Sequence, residues 1–161
     1  QANKNAFEDK EVIEVENLKG FAIFFNMEKF KNNFFDENFF LYFEEFDLCK
    51  SIAKSGGKIY TSRELKIHHL GFKSSLNDNE IENRKMINLK DWHYMWSSFY
   101  FYKKNYNFIY AFIKLSGKLF KSLIKMFFYS ITLQNVNRNK YLFRFLGLIN
   151  SILGRPSNYR G

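Results

Sequence analysis

The stretch FDENFFLYFEEFDLC, residues 35–49, sets carboxylates among aromatic rings and decides how the rest of the chain is interpreted. Five carboxylates fall within twelve residues: Asp36, Glu37, Glu44, Glu45 and Asp47. Carboxyl groups among aromatic rings can have raised pKa values, which a general base needs. The pattern also fits a second interpretation, because Glu44, Glu45 and Asp47 would occupy the first turn of a helix and favour its dipole. The residues alone leave both interpretations open.

Around this stretch the sequence predicts a mixed α/β region that extends to about residue 75. EEFDLCKSIAKSGG, residues 44–57, has acidic side chains in its first turn and a glycine stop, which predicts a short helix. EVIEVEN, residues 11–17, alternates apolar and polar side chains as a strand does, and GFAIFF, residues 20–25, suits a buried strand. Two further short strand candidates follow: KIYT (58–61) and ELKIHHL (64–70).

Beyond a polar connection the pattern becomes helical, so the sequence predicts two regions, 1–75 and 76–161. Three helices are predicted in the second region: residues 79–104, 106–131 and 140–153. Apolar side chains of the first of these recur near one face: Ile81, Leu89, Trp92, Trp96 and Phe99. Gly154 and Pro156 are expected to end the last helix.

The composition of the 161 residues excludes several classes of protein. Hydrophobic residues make up 46% of the chain and aromatic residues 20%, which rules out a disordered tail or linker. The single cysteine excludes a disulfide framework and a cysteine-based zinc site. No uncharged run reaches the roughly 18 apolar residues of a spanning helix, so we expect no transmembrane segment. The sequence opens at Gln1 without signal-peptide features, and we expect it to be part of a longer protein.

The net charge of +9 is concentrated in the second region. Residues 92–161 contain eleven basic side chains and no carboxylate, whereas residues 1–91 carry 14 basic and 16 acidic side chains. Such an asymmetry indicates an anionic partner for the basic region, either a membrane surface or a nucleic acid.

Four lysines of the second predicted helix are spaced four, three and four residues apart, which aligns them in one stripe: Lys114, Lys118, Lys121 and Lys125. A lysine stripe beside a broad apolar face fits a helix that lies in a membrane interface. A helix packed on its own domain, with a solvated lysine edge, fits equally well. No recognisable nucleic-acid module accompanies the stripe, so we expect an anionic membrane surface rather than a nucleic acid as the partner.

The order of motifs resembles a known family. GFAIFFN, then FDENFFLYFEEFDLC, then a Gly-Lys-Ile-Tyr strand and then KIHHLGFKSS are similar to the C-terminal half of bacterial family 2 glycosyltransferases. The rhamnosyltransferase-like members that build surface polysaccharides are the most similar. DWHYMWSSFYFYKKNY resembles the helix that follows the histidine motif in these proteins, and the likeness covers roughly residues 11–110. The ending LGLINSILGRPSNYR is similar as well.

The resemblance implies a fold and a set of site residues. The fold would be α/β: the acceptor-side half of a GT-A nucleotide-sugar transferase domain, followed by an amphipathic helical tail. Glu45 matches the family's general base, a position that is more often Asp, with Glu44 and Asp47 in the same motif as further catalytic candidates. Three residues would bind substrate: Asp36 and Glu37 would shape the acceptor or sugar pocket, and Gly20 would let the backbone approach the donor. His69 would help to hold the metal or the leaving diphosphate.

The implied activity is inverting transfer of a sugar from a nucleotide-sugar donor to a lipid-linked or polysaccharide acceptor, at the cytoplasmic face of the membrane. A divalent cation, Mg²⁺ or Mn²⁺, would stabilise the leaving nucleoside diphosphate. The family takes its metal ligands from an Asp-x-Asp motif, which this sequence lacks, so we expect the donor-binding half to lie outside it. A non-catalytic module that binds a membrane surface is the alternative.

Overall fold

The computed structural model describes residues 12–20, 22–26, 28, 35–62, 64, 66–68 and 79–161. Two short strands and four helices follow one another along the chain: β1 (Val12–Glu14), α1 (Glu44–Lys54), β2 (Tyr60–Ser62), α2 (Glu80–Asn105), α3 (Phe108–Ile131) and α4 (Asn135–Ile152). The chain divides into two compact units. The first comprises Gln1–Asp36 and Glu44–Gly71, and the second comprises Glu37–Phe43 and Phe72–Gly161.

The predicted α/β GT-A architecture is wrong, because the described part of the chain is 61% helical and contains only a two-stranded sheet. The strand predicted at 11–17 is reduced to β1, and the one predicted at 58–61 gives β2. Described residues of the other two candidates, 22–25 and 66–68, form no strand. Alternation predicts a strand only where a partner strand is available, and a GT-A domain needs a sheet of many strands.

The first unit pairs β1 with β2 and carries α1. The strands are antiparallel, with Ile13 opposite Thr61, and the amide of Val15 extends the pairing by donating to the carbonyl of Ile59 at 2.9 Å. Helix α1 confirms the helix predicted from residue 44. It buries Leu48 and Cys49 and is followed by Gly56, whose φ of +77° is readily reached only by glycine.

The three helices of the second unit confirm the helical pattern predicted after residue 76, and asparagines cap two of them. The Asn79 side chain accepts a hydrogen bond from the amide of Ile81 at 2.9 Å and begins α2. Asn107 does the same for the amide of Tyr110 at 2.8 Å and begins α3. Gly154, at a φ of +71°, follows α4 where the sequence predicted a stop.

The core of the second unit lies where α2, α3 and α4 meet. It consists of five buried side chains: Met95, Phe99, Ala111, Leu115 and Leu148. Helices α2 and α4 approach so closely that the backbone of Gly147 lies against the backbone of Trp92. An ion pair also joins them, because the guanidinium Nε of Arg144 donates to Oδ1 of the buried Asp91 at 2.7 Å.

The aromatic segment 37–43 packs on α2. The Ser97 hydroxyl donates to the carbonyl of Leu41 at 2.6 Å, and the ring of Phe43 lies 5.3 Å from that of Phe101. Tyr42 and Phe43 have φ values of +66° and +70°. Such values are rare for aromatic residues and cost free energy, which the surrounding ring contacts offset. The chain thus makes a tight, strained turn directly before the first residue of α1.

Candidate functional site

The carboxylates predicted as catalytic lie in the first turn of α1, next to this turn. Glu44 and Glu45 each bury one carboxylate oxygen, Oε2, that has no hydrogen-bond partner in the described part of the chain. Burial raises the pKa of the Glu44 carboxyl, and the neighbouring charge of Glu45 raises it further. A buried carboxylate oxygen without a partner costs free energy, so each of these two oxygens is suited to accept a hydrogen bond from the hydroxyl group of a ligand.

The structure places a third predicted site residue, Gly20, beside this pair. A Cβ atom added to Gly20 would lie 3.4 Å from Cβ of Glu45 and 3.6 Å from its carboxyl carbon. These are ordinary van der Waals distances, so Gly20 lies beside the Glu45 side chain and an alanine at this position would fit without crowding it. The prediction that Gly20 permits a close backbone approach concerned the donor, whereas the observed neighbour is Glu45.

The remaining predicted residues are distributed differently. Asp47 is buried within α1, Asp36 is half-buried and Glu37 is exposed. His69 lies outside the described residues, and its neighbour His68 is exposed. Among the described residues, no group of three or more histidine, cysteine or carboxylate side chains could hold a metal ion. The divalent cation that the resemblance implies stays a prediction.

No protein-family model matches this chain. Neither a curated protein nor a solved structure shows significant similarity to it. The glycosyltransferase resemblance therefore depends on the motifs quoted above.

The lysine stripe lies on α3, along the side that borders tyrosines of the neighbouring helices. Lys118 lies over the ring of Tyr94 at 5.1 Å, and Lys114 lies over that of Tyr102 at 5.9 Å. Lys125 donates to the Tyr141 hydroxyl at 3.2 Å, which raises the pKa of this lysine and lowers that of the tyrosine. Lys121 is exposed. The four lysines thus share one edge of the helix, and they differ in the contacts that they make with tyrosines of α2 and α4.

The α3 outer face is the largest set of exposed apolar side chains on one element. We use this name for six residues: Ile109, Ile113, Phe120, Ile124, Phe127 and Ile131. Their spacing places them on one side of the helix, opposite the buried residues Ala111, Leu115 and Ser122. In the described part of the chain, no helix is apolar enough over a sufficient length to cross a bilayer.

The sequence did not single out His93, whose side chain is 0% exposed in α2. Its Nε2 lies 2.8 Å from the carbonyl oxygen of Tyr159, and its ring packs 4.8 Å from that of Phe40. Because an N–H must face that carbonyl, Nε2 is the protonated nitrogen. The helical period contained the signal: His93 follows Leu89 by four residues and precedes Trp96 by three, so it lies on the predicted buried face.

His93 fastens the C-terminal strap, which we define as residues 155–160, to α2. The Trp96 indole donates to the carbonyl of Arg155 at 2.9 Å, and the Ser157 hydroxyl donates to the carbonyl of Asn38 at 2.6 Å. The guanidinium of Arg160 lies 3.9 Å from the Phe40 ring centroid. Through these contacts the strap holds the aromatic segment 37–43 against the helices.

Burial of His93 should make the stability of the protein depend on pH. Burial lowers the pKa of His93, and the nearby charge of Arg160 lowers it further. In the unfolded chain the same group titrates at about 6.5. As the pH falls below that value, the unfolded state binds a proton that the folded state does not, so we expect the free energy of unfolding to fall.

The measurement is urea unfolding at pH 7.5 and pH 5.5 for the wild type and His93→Gln, whose amide can still donate to Tyr159. The wild type should lose more stability between the two pH values than the variant does. Glu44 acts in the opposite direction, because its raised pKa lets the folded state bind the extra proton, but it is present in both proteins and cancels. An identical pH dependence in both proteins would contradict the prediction.

Proposed function

We propose that this chain contributes the acceptor side of an inverting glycosyltransferase. The enzyme transfers a sugar from a nucleotide-sugar donor to a lipid-linked or polysaccharide acceptor in cell-surface glycan synthesis. The observation that carries the proposal is the pair of adjacent carboxylates, Glu44 and Glu45, each with a buried oxygen that lacks a partner among the described residues. The ordered motifs that resemble family 2 glycosyltransferases support it from the sequence.

In the proposed reaction, Glu45 accepts the proton of the acceptor hydroxyl as that oxygen attacks the anomeric carbon of the donor. The new glycosidic C–O bond forms while the bond to the nucleoside diphosphate breaks, and the configuration at the carbon inverts. Glu44 is the alternative base in the same turn of α1, because burial raises the pKa of its carboxyl group.

Replacing Glu45 by Gln in the full-length protein tests the assignment of the base. We expect the rate of sugar transfer to fall by roughly a hundredfold to ten-thousandfold, the usual contribution of general base catalysis, with donor affinity unchanged. Transfer is measured as nucleoside diphosphate released from a panel of nucleotide sugars, and donor affinity is measured by calorimetry.

Glu80→Gln is the matched control, because Glu80 is an exposed carboxylate in the first turn of α2. It removes the same charge from a helix N-terminus and should leave transfer unchanged. Full transfer activity in Glu45→Gln would remove Glu45 from the mechanism.

A non-catalytic membrane-surface module is the second candidate function, and the α3 outer face favours it. Such a module would bind anionic vesicles and release no nucleoside diphosphate from any donor, with or without a candidate acceptor. Both candidates share a peripheral location at the inner face of the cytoplasmic membrane, as the resemblance implies. Sugar transfer by the full-length protein therefore separates them.

A further inference from the structure

We propose that α3 lies flat on an anionic lipid surface, with its outer face at the boundary between headgroups and acyl chains. The lysine edge lies about a third of a turn around the helix from this face, so the long lysine side chains would extend along the helix surface to reach the lipid phosphates. This inference rests on the membrane location that both candidate functions share, and it assigns the contact to α3. Vesicle binding and sugar transfer are measured separately, so either can fail while the other succeeds.

Helix α3 is apolar on two opposite sides, which a helix packed on one domain does not need. Its inner side supplies Ala111 and Leu115 to the core. On its outer side Ile113 is 69% exposed and Ile124 is 66% exposed, which leaves these branched side chains to water. A contiguous apolar row on a soluble surface marks an interaction site.

Two further apolar side chains are exposed beyond the end of the helix. Leu133, in the turn before α4, and Val136, in the first turn of α4, are both exposed. The 24 residues of α3 have a length of about 36 Å at the helical rise of 1.5 Å per residue. A rod of that length with six exposed apolar side chains along one side fits a planar lipid boundary better than a compact pocket.

The charge of this region indicates which partner covers the α3 outer face. Residues 92–161 carry no carboxylate, so no acidic group of the three-helix region after Asp91 neutralises the lysines of α3. If two copies of the chain joined through this face, they would bring lysine edges together without acidic partners, which opposes self-association. An anionic lipid surface supplies negative charge for the lysines and an apolar phase for the outer face.

A nucleic acid would engage the lysines and the two phenylalanines of the outer face, Phe120 and Phe127, but would leave its isoleucines in water. Bases bind single-strand proteins by stacking on aromatic rings, and four of the six residues in the outer face are isoleucines. An isoleucine side chain buries apolar surface in lipid but offers no ring for stacking. The composition of the face therefore favours lipid over nucleic acid.

Vesicle flotation of the purified chain tests the proposal, with phosphatidylcholine vesicles that contain or lack 30% phosphatidylglycerol. We expect binding to the anionic vesicles that weakens as salt is raised from 50 to 500 mM, and little binding to the neutral ones. The double substitution Ile113→Gln and Ile124→Gln should lower the partition coefficient by at least roughly tenfold, because two side chains leave the acyl boundary.

The matched control is Ile81→Gln with Ile87→Gln, because these α2 residues are 67% and 53% exposed and carry the same change. This control should bind vesicles as the wild type does. Lys114→Gln with Lys121→Gln should lower binding by about fivefold per lysine, whereas Lys85→Gln with Lys103→Gln on α2 should change it much less.

Three results would overturn the proposal. Equal binding to neutral and anionic vesicles would remove the role of the lysines, and equal losses in the α2 controls would show that α3 is not the contact. A dimer in sedimentation equilibrium, dissolved by the isoleucine substitutions and without vesicle binding, would assign the face to a second copy of the chain. Circular dichroism of each variant establishes that the fold is retained.

Discussion

Gly147→Ala should destabilise the helical unit by about 3 kcal/mol, at the upper end of the usual cost of overpacking a core. A methyl group added to Gly147 would overlap the carbonyl oxygen of Trp92 and lie 2.9 Å from its carbonyl carbon. Both atoms belong to the backbone of α2, so no side-chain rotation can make room. The two helices would have to move apart, which would also lengthen the 2.7 Å ion pair between Asp91 and Arg144.

Gly117→Ala is the control, because a Cβ at Gly117 meets no atom within 4 Å. The position lies inside α3, where alanine is favoured over glycine by about 0.5–1 kcal/mol, so this variant should be more stable than the wild type. Urea unfolding followed by circular dichroism measures both variants. Equal effects of the same sign would contradict the close approach of α2 and α4.

The sequence predicted the helices because the information that specifies them is local. The asparagine caps at Asn79 and Asn107, the glycine stop at Gly154 and the helical period all lie within a few residues of the boundary that they set. Most of the face predicted for α2 is buried, including Trp92 and Phe99, whereas Ile81 in its first turn is exposed.

Contacts between distant segments could not be predicted in this way. Glycine inside α4 is locally unfavourable, and nothing within its neighbourhood specifies that Gly147 meets Trp92. The α/β prediction failed for the same reason, because a strand forms only with a partner. The turn at Tyr42 and Phe43 could not be predicted either, because aromatic residues rarely adopt positive φ values. Here ring contacts with distant residues of α2 stabilise this conformation.

In the candidate site, too, the local features could be predicted from the sequence and the contacts between distant residues could not. Placing Glu44, Glu45 and Asp47 in one helical turn required only the local pattern. The approach of Gly20 to Glu45 joins residues 25 positions apart in the chain, and the quoted motif order marked both without indicating that they meet. The contact between His93 and Tyr159 joins residues 66 positions apart. The sequence could predict only that His93 lies on the buried face of α2.

Phe99→Ala should destabilise the protein by about 3–5 kcal/mol, the usual cost of deleting a buried phenylalanine ring. Phe99 is 0% exposed at the centre of the core, and its ring meets that of Phe108 edge to face, with 5.5 Å between centroids. The deletion removes this contact and leaves a cavity among Met95, Leu115 and Leu148. Thermal and urea unfolding measure the loss.

Phe120→Ala removes the same ring from the outer face of α3, where it is 59% exposed. Its stability should change by less than about 0.5 kcal/mol, because little apolar area leaves a packed environment. Its binding to anionic vesicles should nevertheless fall, whereas Phe99→Ala should bind normally under conditions in which it remains folded. This opposite pair of effects tests whether the two apolar sides of the unit have different partners. A large loss of stability in Phe120→Ala would mean that the protein covers this face with its own residues, and the face would then be unavailable to lipid.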